Sequence, residues 1–291
     1  MWLRVDSSKI VHARSTLPAL AAMLKFPNAW VWDCRSLQAD QRRALSPKQK
    51  RSIAFVVMRF IEYILAKQSS SIIVITKSVV PIFISWYKVP KSKIHVIPTC
   101  VDVAKFQEKP FEKVNEIKVL FAGTFSPAYD VRLINKFIRK MKEYTPVAVT
   151  VATSLGSTEN WKQVEYDKLV SVPHDDMPTL IQEHHLGFSV WKNDLGICLT
   201  SVASTKTAEF LACGRPIVIN SLQGDFGTLI KEYNAGVVTY SEKDDEIRSY
   251  VLEILELVQD DSTRKRYREL ALKEFSLDQG LEDLIKLYQE L

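Results

Sequence analysis

The residue types able to do chemistry cluster in the run Ser204-Thr205-Lys206-Thr207-Ala208-Glu209, which leads through FLACGRP into the apolar stretch IVIN. Ser204 and Thr205 are N-cap types for a helix running through Phe210 to Cys213, with Gly214 ending it. The start of such a helix offers free backbone N–H groups and the positive end of the peptide dipole to an anion. A phosphate there would also meet two hydroxyls and the ammonium of Lys206. Glu209, three residues further on, has the wrong charge for phosphate but suits the paired hydroxyls of a ribose. The run therefore reads as a nucleotide site, with a diphosphate over the helix tip and the sugar on Glu209. The same spacing also describes a solvated Lys-x-x-Glu pair worth about 0.2–0.5 kcal/mol. What favours the ligand reading is the strand that follows, because it puts the helix start at the rim where open parallel sheets bind ligands.

That rim requires parallel sheets, and the chain has the pattern for two. KIVHA, AWVWD, SIIVIT and KIHVIP read as short apolar strands in the first half; IKVLFAG, VAVTVAT, KLVSVP, LGFSVW, RPIVIN and AGVVTY follow in the second. Helical segments fall between them: LPALAAML, residues 48–66 opened by Ser46-Pro47, and residues 130–144, 177–185, 205–213 and 225–233. After Tyr240 the pattern is helical to the end. Continuous apolar strands alternating with helices predict parallel sheets covered on both faces, hence two Rossmann-like α/β domains. The expected boundaries are 1–112, 113–272 and a closing helix, 273–291, packed back toward the first domain. Residues 101–116, polar and without apolar period, read as the link.

The bulk numbers agree: 291 residues, 46% hydrophobic and 25% charged, suit two cores. No window approaches the ~20 apolar residues of a membrane span, and MWLRVDSSKIVHARS lacks the apolar core of a signal peptide. Cys34, Cys100, Cys198 and Cys213 are scattered without CxxC spacing and read as packed, reduced thiols in a cytoplasmic protein with no zinc site. Asp175-Asp176 reads as a solvated helix start rather than a metal pair. Net charge is +5, and residues 1–112 carry 18 Lys and Arg against 7 Asp and Glu, while the remainder is acidic. A basic half suits an anionic partner. With no nucleic-acid motif alongside, the expectation is no nucleic acid and an anionic membrane surface at the inner face. The basic, apolar run KQKRSIAFVVMRFIEYILAK either covers a sheet or docks on such a surface.

STKTAEFLACGRPIVIN followed by GDFG resembles the nucleotide-sugar signature of the family-four glycosyltransferases, retaining enzymes of the GT-B architecture. VHARS, AWVWDCRSLQADQ, SIIVIT, HVIPTCVDVAKF, VLFAGTFSPAYD, VSVPHDDMPTLI and FSLDQGLEDLIKLYQEL match in order, so the resemblance covers nearly the whole chain. It implies two Rossmann-like domains facing a cleft and a nucleotide-diphosphate sugar as donor substrate, with no other cofactor and no metal. It also implies transfer of a hexose to a glycan or lipid-linked acceptor. By the resemblance Glu209 binds the ribose, and Lys206 with Ser204 and Thr205 holds the diphosphate. Gly123 and Thr124 form the first loop of the second domain, where backbone approaches phosphate, although a plain turn also explains Gly123. Val172, with Pro173 and His174, frames the base, although His174 also fits a solvated loop. Asp33 orients the acceptor hydroxyl or takes its proton, and Arg35 neutralises charge; a local ion pair between the two is the other reading. His12, at the tip of KIVHARS, reads as a satisfied core-edge histidine, with a place facing the cleft as the other reading.

The chain departs from the family pattern in three places. Ser201 stands where a second glutamate is common, AGTFSPAYD lacks the usual arginine, and the first domain starts close to KIVHARS. The third departure predicts an incomplete first sheet of about four strands with an open edge: either a second chain completes it, or the chain pairs with itself, or the domain is a truncated remnant. A rival reading follows: a non-catalytic or partner-dependent subunit that binds nucleotide-sugar. A basic scaffold for nucleic acid is a third.

Overall fold

The computed structural model describes residues 10–26, 30–45, 53–110, 115–154, 159–220 and 223–291. The chain forms two compact units, one from Met1–Pro98, Asn193–Ala203 and Asp278–Leu291, the other from Thr99–Lys192 and Ser204–Leu277.

The first unit follows the order β1 (Val11–Arg14), α1 (Thr16–Lys25), β2 (Trp30–Cys34), α2 (Gln38–Leu45), α3 (Ile53–Gln68), β3 (Ser71–Val74), α4 (Val80–Tyr87) and β4 (Ile94–Val96). The strands pair in parallel in that same order. Sequential right-handed crossovers place their helices on one sheet face. Ala19 and Ala22 of α1, Leu65 and Ala66 of α3, and Phe83 and Tyr87 of α4 share one core with Trp30, Trp32, Ile72 and Val74. Alternate strand residues point the other way. Val31 and Ile73 meet Leu287 there, with Ile10, Ile97, Leu284 and Tyr288 around them.

The second unit runs β5 (Ile117–Ala122), α5 (Val131–Lys142), β6 (Val147–Ala152), β7 (Lys168–Val170), α6 (Met177–Gln182), β8 (Leu186–Ser189), α7 (Thr205–Ala212), β9 (Ile217–Asn220), α8 (Phe226–Glu232), β10 (Gly236–Thr239), α9 (Asp244–Gln259) and α10 (Arg264–Phe275). The chain closes with α11 (Leu277–Gln289). The sheet is parallel, in the order β10-β9-β8-β5-β6-β7. The winding starts at β5, moves outward through β6 and β7, then restarts on the other side at β8. The topological switch point therefore lies between β5 and β8, and in such sheets ligands bind beyond the carboxyl ends of the strands at that point.

Each of the ten apolar runs contains a strand. Helices α2 and α4 were not expected: QADQRRAL has almost no apolar stripe, and VPIFISWY is an apolar run that spacing cannot tell from a strand. The Ser46-Pro47 helix start lies outside the described residues. Residues 101–110 pack within the second unit rather than hanging as a polar link. Val101 exchanges backbone hydrogen bonds with Phe275 and Leu277, Phe106 is buried, and Arg268 donates to the carbonyls of Val103, Phe106 and Ala212.

Candidate functional site

Helix α7 reaches the switch point because β8 carries a glycine where the two touch. A Cβ added to Gly187 would lie 2.8 Å from the Phe210 ring, so only a residue without a side chain lets the helix settle this close. Ser204, the N-cap, is extended as caps are, but its side chain makes no capping hydrogen bond. The helix ends with Cys213 N–H on Glu209 O, Gly214 N–H on Leu211 O and Arg215 N–H on Phe210 O. Arg215 is buried and donates to the carbonyls of His184, Gln182 and Lys109.

Glu209 is 1% exposed, and the Lys206 Nζ lies 2.9 Å from its Oε2 and 3.2 Å from its Oε1. The carboxylate is thus out of water, which a solvated surface pair is not. Lys206 keeps part of its side chain in solvent. Gly123 closes on the same point from β5: its φ is 122°, in the region favouring glycine. A Cβ there would sit 3.8 Å from the Lys206 Cε. The Gly123 N–H itself donates to Ala152 O at 2.9 Å. Gly123 therefore contributes room for close approach, not a donor. Thr124 and Thr205 are exposed, Ser204 and Val172 half-buried. Val172 follows β7 at the same carboxyl edge, separated from β5 by β6. The structure brings Gly123, Lys206 and Glu209 together; Val172 shares their edge of the sheet.

Two groups that sequence reasoning missed hold this edge. Trp191 N–H donates to Asn220 Oδ1, Asn220 Nδ2 donates to Trp191 O, and Gln223 Nε2 donates to Asn220 Oδ1 at 2.5 Å. In the loop after β5, where the family pattern has an arginine, Phe125 stacks edge-on to Trp161 at 5.2 Å and Tyr129 to Trp191 at 5.2 Å. GDFG hinted at a turn, but nothing in the spacing of Trp161 and Trp191 announced that both would meet Tyr129.

In the first unit Asp33, next to last in β2, is 6% exposed. Its Oδ2 lies 3.3 Å from His12 Nε2, and Arg35 approaches its Oδ1 at 3.8 Å. Among the described residues no hydrogen-bond donor reaches that Oδ1. His12 Nδ1 is 2.6 Å from the Tyr288 hydroxyl. Burial, and then the Asp33 charge, raise the Tyr288 pKa. His12 thus has both ring nitrogens engaged, and the partner it shares with Arg35 is closer to it than to the arginine. Tyr288 was unforeseen, since only α11 packing on the sheet brings it there.

Ser201, in place of the second glutamate, turns its hydroxyl to Cys198 O at 3.0 Å. Burial pushes the Cys198 and Cys213 thiols up to about 12 and Cys34 well above its ordinary value, which disfavours the nucleophilic thiolate in all three. Asp175 is paired with Lys105. Among the described residues no three His, Cys, Asp or Glu side chains are arranged to hold a metal ion.

The model of the family described as Glycosyltransferase Family 4 matches residues 1–105. Across 97% of the chain, the backbone superposes on sucrose-phosphate synthase from Thermosynechococcus elongatus, with a TM-score of 0.73 at 13% identity, covering 73% of that chain. Anabaena HepE, solved in complex with UDP and glucose, gives 0.71 at 15% identity over 97% of this chain and 78% of its own. A glycosyltransferase from Rickettsia africae gives 0.67 at 14% over 97% and 76%. The fold is GT-B, and the resemblance to the family-four glycosyltransferases holds. No curated protein sequence matches the chain. The family match falls on the first unit, whereas the GT-B likeness extends through the second, where Lys206 and Glu209 lie.

Proposed function

We propose that this GT-B protein is a retaining, metal-independent glycosyltransferase of polysaccharide biosynthesis, moving a hexose from a nucleotide-diphosphate sugar to a glycan or lipid-linked acceptor. The observation that carries the reading is the buried Glu209 carboxylate, held by Lys206 beside Gly123 at the switch point. Anabaena HepE, of similar backbone, was solved with UDP and with UDP-glucose. In this reading a diphosphate draws the Lys206 ammonium outward, and Glu209 takes two ribose hydroxyls in its place. The C1–oxygen bond to the diphosphate breaks, and the acceptor oxygen bonds C1 on the same face. The acceptor proton passes to the departing phosphate oxygen. Stabilising that leaving charge is the main catalytic task, served by Lys206 with the α7 tip. Asp33, with an oxygen that no hydrogen-bond donor among the described residues reaches, orients the acceptor hydroxyl, and Arg35 offsets negative charge.

Calorimetry with UDP- and GDP-sugars tests the donor half. One donor class should bind, and Glu209→Gln should weaken it about 10- to 100-fold, the loss of hydrogen bonds to a charged group, with the melting temperature little changed. Equal affinity in the variant, or no binding of either class, rejects the site. Ser201, whose hydroxyl bonds its own turn, favours a second reading, a nucleotide-sugar-binding subunit without transfer. Donor binding with no hydrolysis or transfer would select it.

A further inference from the structure

Helix α3 carries a second apolar face besides the one it packs on the sheet. Ile53, Val56, Val57, Phe60 and Tyr63 recur at i, i+3, i+4, i+7 and i+10, so they form one stripe. That stripe faces solvent, with Ile53 82%, Val56 64%, Val57 50% and Phe60 61% exposed. The opposite face, turned to the sheet, holds Leu65, Ala66 and a carboxylate, Glu62, which accepts from Ala39 N–H and the Tyr87 hydroxyl. An ordinary sheet-covering helix has a polar outer face. The flanking helices continue the theme: Leu17 and Leu24 of α1 are 69% and 77% exposed, and Ile84 and Trp86 of α4 are also exposed. Both helices pack beside α3. An exposed apolar surface of this extent on adjacent elements marks an interaction face.

Charge says what kind of partner covers it. Residues 10–98 contain fourteen Lys and Arg and only three acids, Asp33, Asp40 and Glu62, and all three acids are buried. This part of the surface therefore presents cations and no carboxylate. At the C-terminal end of the stripe Lys67 donates to Lys88 O and Lys93 to Lys67 O, with Lys88 and Lys91 exposed beside them. At the other end Arg43 lies over Phe55. A second copy would bring like charge against like charge, and a nucleic acid would leave the apolar stripe uncovered. Among the described residues no helix is long and apolar enough to cross a bilayer; an apolar stripe flanked by cations suits a helix lying along one.

We propose that α3, flanked by α1 and α4, docks this protein on a bilayer surface containing anionic headgroups, burying the stripe among the acyl chains with the lysines at headgroup level. The face belongs to the first unit and the nucleotide site to the second, and its test does not use a sugar donor. Co-sedimentation of the full chain with vesicles of phosphatidylcholine, alone or mixed with phosphatidylglycerol, should show partitioning only onto the mixture, weakened by salt. Val57→Glu with Phe60→Glu should reduce it at least about tenfold, with circular dichroism unchanged because both side chains already face water. Lys67→Glu with Lys91→Glu should do likewise, since each cation near an anionic leaflet multiplies partitioning roughly fivefold. Binding retained by both double variants, no binding to the mixture, or a dimer in light scattering that Val57→Glu with Phe60→Glu dissolves would each overturn the proposal.

Discussion

Two buried glutamates show how the same residue type is put to different uses. Glu209 is matched by Lys206, whose side chain is partly in solvent, a pairing that a ligand can exchange. Glu62 is matched mainly by uncharged donors, Ala39 N–H at 3.0 Å and the Tyr87 hydroxyl at 2.8 Å, with Arg59 at 3.7 Å. Desolvation dominates there and raises the Glu62 pKa above its ordinary 4.5. Asp40 is raised for the same first cause. A raised carboxyl holds its proton more tightly folded than unfolded, so its contribution to stability is full below the unfolded value and lost as pH climbs through the folded one. Urea titrations from pH 4.5 to neutrality should therefore show the native chain losing stability relative to Glu62→Gln as pH rises. Parallel profiles for the two would contradict the assignment. Nothing in the spacing of Arg59, Glu62 and Tyr87 distinguishes this network from a surface pair, because sequence separation does not state which helix face is covered.

At the level of elements, the site depends on how α7 sits on β8. Its position is set by the contact of Gly187 with Phe210, adjacent to Glu209. Gly187→Ala forces the ring or the helix to move, and overpacking of this kind typically destabilises by about 1–3 kcal/mol. Denaturant melts should show that loss, and because the displaced helix carries Lys206 and Glu209, donor affinity should fall with it. A stability loss with unchanged affinity would mean that the ring alone gives way. The ten strands were legible because buried parallel strands are continuous apolar runs closed by turn residues. Helix α2 was not, since QADQRRAL carries little apolar signal, and its partners Glu62 and Arg59 lie on another element.

For the whole molecule, the notable fact is that the first unit is discontinuous, drawing on Asn193–Ala203 and Asp278–Leu291. Its sheet has helices of the strand crossovers on one face only. The other is met by α11, through Leu284, Leu287 and Tyr288 against Val31 and Ile73. Truncation after Leu277 should uncover that face and take the Tyr288 hydroxyl from His12. The loss of one fully buried leucine and its neighbours is on the order of 2–5 kcal/mol. Differential scanning calorimetry should show a lowered transition for the first unit; an unchanged thermogram would mean that α11 contributes no stability to it.

What the sequence by itself determined was whatever is written locally. Strand positions, the parallel class, the Ser-Thr-Lys…Glu helix start and the basic first half all follow from neighbouring residues, whose periodicity and charge need no distant partner. Only the tertiary structure decided which polar groups are dry and which apolar groups are wet. Glu209 leaves water where α7 lies close on β8, with Phe210 against Gly187; Asp33 meets His12, whose other ring nitrogen meets Tyr288 from the far end of the chain; and the stripe of α3 faces outward while Glu62, Leu65 and Ala66 are buried on its inner side. Burial is a property of the assembled surfaces, and no single stretch of chain contains both of the surfaces that meet.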